Sequence, residues 1–199
     1  KDESNEMVKK IFDHIKEKIE KSNDSVITAI KLAIVGNVID FGTMNRFNVD
    51  EMINHALERE FDDRDYPLFK KELEKTSNIM YLADNSGEIF FDRLLIEELK
   101  KKDKKITYVV KKNPIINDVL TEDTNYAGID KIADVITYDK DQKISTPGIV
   151  MEYASDEFKE KFGKSDMIIS KGQGNYEGLS NTYRRVFFLL VAKCPLVAN

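Results

Sequence analysis

The chain carries one cysteine, Cys194, in 199 residues. A single thiol excludes an internal disulfide and any cysteine-rich zinc site, and it suits a reducing cytoplasm. Beside Pro195 it reads as a small buried residue, not a nucleophile. Histidine is equally scarce. His14 and His55 lie on amphipathic stretches with no partner motif, so no Ser-His-Asp set can be assembled. No apolar run is long enough to span a bilayer, and no signal peptide is visible. The longest run, 186–192, has the length of a strand. An excess of basic charge is also missing: 31 basic residues face 36 acidic ones, for a net charge of -5. That balance argues against nucleic acid or an anionic membrane as the main partner, but leaves room for a phosphorylated small molecule held by a few local donors. Repeats and low-complexity linkers are absent. The chain begins at Lys1 without Met and stops at Asn199, which reads as a fragment of a longer protein.

What is present changes style near Thr76. Residues 1–76 read as a helical N-terminal subdomain. Met7, Val8, Ile11, Phe12, Ile15 and Ile19 fall on one helical face. Residues 25–39 are apolar nearly all round, which predicts a buried helix. A third helix is expected after Asn48, with Glu51 completing a capping box, and a short one over 66–75. From 77 to 199 short apolar runs alternate with helical patterns. The expected strands are 79–83, 106–110, 135–138, 167–170 and 186–192, and the expected helices 88–102, 115–124 and 149–162. Apolar strands alternating with helices predict an α/β domain with a mostly parallel sheet covered on both faces. Ligands in such sheets sit outside the carboxyl ends of the strands.

Polar residues gather at those ends. The first strand runs into Asp84, Asn85, Gly87 and Glu88. Two oxygen-bearing side chains beside a helix start suit a hard cation and a phosphate, although Asp and Asn are also ordinary helix caps. The second strand is followed by Asn117 and Asp118, behind Pro114. Asp118 either completes an ion site with Asp84 or supports the helix dipole. The fourth strand ends in Lys171, Gly172, Gln173, Gly174, Asn175 and Tyr176. Glycines there let backbone amides approach an anion and the lysine adds charge, in spacings that fit neither a Walker loop nor a dinucleotide fingerprint. Lys193 follows the last strand and is either a phosphate contact or a solvated strand end. Asn37 and Asp40 stand three apart in the apolar second helix and face either a helix end or the cleft.

The segments GNVIDFG, YLADNSGEIFFDRLLIEEL, NPIINDV, TPGIVME, ISKGQGNYE and FFLLVAKCPLVA occur in this order over almost the whole chain. In them the sequence resembles the damage-control phosphatases, a former domain of unknown function that includes acidic-residue methyltransferase-like proteins, in their compact prokaryotic and archaeal branch. The resemblance implies a three-layer α/β/α fold with a helical N-terminal part. It implies hydrolysis of phosphate monoesters of small metabolites such as sugar phosphates, some of them damaged. It implies a divalent ion (Mn²⁺, Mg²⁺, Co²⁺ or Ni²⁺) on Asp84, Asn85 and Asp118, with Asp84 and Asp118 catalytic. Substrate contacts are implied for Glu88, Lys193 and the loop 171–176, and more distantly for Asn117 and Asn37. The nucleophile is either a water or the Asp84 carboxylate. The family pattern extends past both ends of this chain, and the compact branch carries upstream cysteines that are absent here. Two other readings stand beside this one: a non-catalytic binder of phospho-metabolites or nucleotides, and a carboxyl methyltransferase using S-adenosylmethionine. The latter is disfavoured by the single glycine in ADNSGE. The sequence assigns no oligomeric state.

Overall fold

The computed structural model describes residues 2–36, 51, 53–54, 57–58, 61–140 and 146–192. Two long helices open it, α1 (Asp2–Glu20) and α2 (Ser25–Val35), followed by α3 (Tyr66–Lys75). Asp24 caps α2 by accepting from the amides of Val26 and Ile27. The residues described between 51 and 58 are helical, and the rest of the expected third helix lies outside the described residues, as do Asn37 and Asp40.

From there strands and helices alternate: β1 (Asn78–Leu82), α4 (Ile89–Lys100), β2 (Lys105–Val110), α5 (Thr121–Ala127), β3 (Asp134–Thr137), α6 (Asp156–Lys164), β4 (Met167–Lys171), α7 (Gln173–Leu179) and β5 (Val186–Leu189). The five strands form one sheet in the order β3-β2-β1-β4-β5, all parallel. Alternation along β1 divides the core. Ile79 and Tyr81 face a layer made by α1 to α5, while Met80 and Leu82 face the layer of α6 and α7. The result is the expected α/β/α sandwich. The cluster under α1 to α5 draws on residues before and after position 76 alike, so the helical segment and the sheet share one core. Among the described residues no helix is long and apolar enough to cross a membrane.

Two expected helices are displaced. The stretch expected to be helical from 115 begins its helix only at Thr121, because Asp123 accepts from the Leu120 amide and 115–119 is spent on bonds to the sheet. The stretch expected from 149 begins at Asp156, where the Ser155 hydroxyl caps the Phe158 amide.

The chain leaves β1 toward β2 and β3, then returns to place β4 on the other side of β1. The crossover after β1 runs through α4 on one face, and β4 is followed by α7 on the other. The carboxyl ends of β1 and β4 therefore flank the point where the winding reverses, the usual location of a ligand crevice.

Candidate functional site at the winding reversal

Three backbone bonds fasten the tips of β1 and β2 together. The Ser86 amide donates to Asn117 O at 2.8 Å, the Val119 amide to Asp84 O at 2.9 Å, and the Lys111 amide to Val119 O at 2.9 Å. Asn85 and Asp118 thus pair as an isolated antiparallel bridge. The two carboxylates singled out in the sequence, Asp84 and Asp118, are brought to one place by the main chain, with Asn85 between them.

The tip of β4 closes the site from the other side. Gly172 has φ 81, and a Cβ there would overlap the Asp84 carboxylate, so only glycine fits. Asn175 is buried and donates from Nδ2 to Ala83 O at 3.0 Å and to Lys171 O at 2.9 Å. This amide ties the first and fourth tips. Gly174 lies against Gly148 of the loop before α6, where φ is 76. Gln173 opens α7 and donates to Glu177 at 2.7 Å, while the Tyr176 ring packs edge-on to Phe188 at 5.0 Å. The glycine-bearing segment serves as close packing around Asp84.

Charge is concentrated beneath this surface. Lys171 is 1% exposed, and its ammonium donates to Glu88 Oε2 and to Asp92 Oδ1, the latter at 2.9 Å. The sequence reading placed this lysine at a phosphate. Its side chain points instead into the helix layer, where Glu88 and Asp92 compensate its burial. Burial works against its charge, but Asp92 and Glu88 outweigh that and hold its pKa above the usual value. Asn85 Nδ2 donates to Asp84 Oδ2 at 2.9 Å and to Glu88 Oε1 at 2.8 Å. Burial, then the charges of Glu88, Asp118 and Asp92, push Asp84 up to about 7 against the pull of Lys171. Burial also raises Asp118, with Lys111 opposing. The Lys111 ammonium lies 3.9 Å from Asp118 Oδ2, donates to Gly148 O at 2.7 Å, and sits over the Tyr138 ring. Burial holds its pKa below the usual value.

These groups fit a divalent cation on charge. Asp84, Glu88, Asp92 and Asp118 are four carboxylates against two buried ammoniums, Lys111 and Lys171, an excess of up to two negative charges. Among the described residues no three His, Cys, Asp or Glu are grouped for a metal. Asp84, Asp118 and the Asn85 amide oxygen could offer such an ion a hard oxygen set.

The family description "Damage-control phosphatase ARMT1-like domain" matches residues 1–199, the whole chain. This chain belongs to the damage-control phosphatase ARMT1-like family. A damage-control phosphatase of Pyrococcus horikoshii is 39% identical over 199 residues, covering 98% of this chain and 67% of its own length. A damage-control phosphatase of Archaeoglobus fulgidus is 37% identical, with 98% and 68% covered. An uncharacterized protein of Methanocaldococcus jannaschii is 38% identical over 212 residues. The chain spans about two thirds of the length of these relatives. A crystal structure of a DUF89 family protein from Pyrococcus horikoshii superposes with a TM-score of 0.81 at 39% identity, again covering 98% of this chain and 67% of that one.

Within this family member, Asp84, Asn85, Glu88, Asp118, Lys171 and Gly172 come together at the winding reversal. Asn117 is exposed beside them, its carbonyl held by Ser86. Lys193 and Asn37 lie outside the described residues. Sequence reasoning did not single out Asp92, Tyr81, Tyr108, Lys111 or Asp139. Two signals were available: Asp92 follows Glu88 by four residues, hence shares its helical face, and Lys111 directly follows an apolar strand. Asp139, at the end of β3, is buried and accepts from the Lys112 amide at 2.7 Å.

Proposed function

We propose that this chain is a divalent-metal-dependent phosphatase acting on phosphate monoesters of small metabolites, sugar phosphates or related damaged compounds, in metabolite repair. One observation carries the reading: the backbone bridge that sets Asp118 beside Asp84 and Asn85, over buried carboxylates that exceed the buried ammoniums. Membership of the family over the whole chain supports it, as do two relatives named damage-control phosphatases.

Asp84, Asp118 and the Asn85 amide oxygen would hold the ion, which is Mn²⁺, Mg²⁺, Co²⁺ or Ni²⁺. When bound, the ion supplies charge neutralisation for a phosphoryl oxygen. The chain's own residues orient and exclude. Asp84 and Glu88 fix the Asn85 amide between them. Lys171 holds Glu88 in place by direct contact. Gly172 packs the main chain against Asp84, which leaves the half-buried Gln173 and Tyr176 and the exposed Asn117 as the residues that would line the substrate. Such fixed dipoles and charges are the main resource for phosphoryl transfer. The proposed compartment is a reducing cytoplasm. With a net charge of -5, neither nucleic acid nor an anionic membrane is proposed as a partner.

The test is phosphate release from an aryl phosphate and a panel of sugar phosphates, in chelator and then with each ion restored. Release is expected only with metal. Asp118→Ala is expected to lower kcat/KM by a factor equivalent to on the order of several kcal/mol of transition-state stabilisation. A folded Asp118→Ala protein that keeps both ion affinity and turnover would overturn the reading.

A further inference from the structure

Asp92 stands in the first turn of α4, on a face where Ile89, Leu95, Ile96 and Leu99 are all buried, and is itself 0% exposed. A carboxylate there is costly unless its oxygens are satisfied. Three groups satisfy them. The Tyr81 hydroxyl donates to Oδ1 and the Tyr108 hydroxyl to Oδ2, each at 2.8 Å, and the Lys171 ammonium donates to Oδ1 at 2.9 Å. Tyr81 and Tyr108 are direct neighbours on β1 and β2, with rings stacked at 5.5 Å. Burial and the Asp92 charge keep both phenols protonated, so they act as donors.

An apolar helix face would pack against this sheet as well without a carboxylate, because buried charge networks are not needed for stability. What the network does achieve is placement. From the two tyrosines an unbroken chain of bonds runs through Asp92 to Lys171, from Lys171 to Glu88, from Glu88 to Asn85, and from Asn85 to Asp84. Its last link concerns an amide, which has two chemically opposite ends. With Nδ2 held by Glu88 and Asp84, Asn85 has only its oxygen left to offer an ion. An amide free to turn would present its N–H groups instead, which repel a cation.

We propose that Asp92, with Tyr81 and Tyr108, is the positioning base of the ion site: it sets Lys171, which sets Glu88, which fixes the end of the Asn85 amide that meets the ion. The inference rests on the metal-dependent reading above. None of the three residues touches the ion or the substrate.

The experiment measures Mn²⁺ affinity by titration calorimetry, with kcat and KM on an aryl phosphate alongside, for the wild type, Asp92→Asn, the pair Tyr81→Phe with Tyr108→Phe, and Leu95→Ala. Leu95 lies on the same helix, is fully buried and has no polar partner. Asp92→Asn is expected to weaken Mn²⁺ binding about 10- to 100-fold, as loss of an outer partner of a metal ligand does. The paired tyrosine variant should weaken it in the same direction. Leu95→Ala should lower Tm while leaving Mn²⁺ affinity at the wild-type level. Asp92→Asn binding Mn²⁺ as the wild type does would overturn the proposal. If Asp92→Asn does not fold, the tyrosine pair decides, since it keeps both rings and every charge, and unchanged affinity there overturns it. A wild-type chain that binds Mn²⁺ but releases no phosphate sinks the phosphatase reading and leaves the affinities to support this one. A wild type that binds no Mn²⁺ overturns both.

Discussion

Ile116 adopts φ 49 with its side chain 84% exposed, two residues before Asp118. A β-branched residue is strained in that region, while asparagine tolerates it. The strain is held by the bonds on either side, the Asp118 amide to Ile115 O and the Ser86 amide to Asn117 O. Ile116→Asn should therefore stabilise the protein by about 1 kcal/mol, read by urea denaturation. A loss of stability would mean that the isoleucine side chain has a contact worth more than the strain. At this scale the sequence disclosed the residues whose role depends on where they stand along a strand. Asp84, Asn85 and Asp118 are polar residues directly after apolar runs, and that is visible in one dimension. Asp92, Tyr81 and Tyr108 are different. Each looks like an ordinary occupant of its element, and the bond that gives Asp92 its meaning joins it to a lysine 79 residues away.

Among the elements, β1 begins where Asp166 accepts from the amides of Ser77 and Asn78, at 2.9 and 2.8 Å. Those amide bonds hold the Asp166 carboxyl below its ordinary value of 3.8. A carboxylate with a depressed folded pKa contributes stability above the unfolded value and loses it as pH falls through the folded one. Asp166→Ala should thus cost a few tenths to about 1 kcal/mol at neutral pH, kept small by solvent exposure. The difference from wild type should vanish in acid, which thermal melts at neutral and acid pH would register. A difference that persists in acid would refute the assignment. The strands themselves were legible to within a residue or two at most ends, because two-sided burial leaves unbroken apolar runs. Strand β5 is shorter than its apolar run, ending at Leu189 where 192 was expected. The helix expected at 115 was not legible. Ile115 and Val119 suggest helical spacing, yet 115–119 forms a turn bonded to the sheet ends and α5 starts only where Asp123 can cap it.

For the molecule as a whole, a parallel sheet between two helical layers followed from composition and alternation. The strand order did not. Nothing in one dimension says that β4 lands beside β1, and that placement alone creates the crevice and buries Lys171. An ion bound only by the folded state should stabilise the entire fold. Mn²⁺ at 100 times its dissociation constant is expected to add about 2.7 kcal/mol, seen as a rise in Tm that chelator reverses and that Asp84→Ala abolishes. A Tm indifferent to Mn²⁺ would remove the ion from the account.

The same placement has a consequence for the growing polypeptide. Glu88 and Asp92 emerge from the ribosome 83 and 79 residues before the lysine that neutralises them. At roughly 5–20 residues per second that interval lasts about 4–16 s. Until it ends, the nascent β1–α4–β2 unit has only Tyr81, Tyr108 and Asn85 to meet its two acids, and no cation. A chain that stops short of Lys171 would have to fold α4 against the sheet without the ammonium that meets both carboxylates.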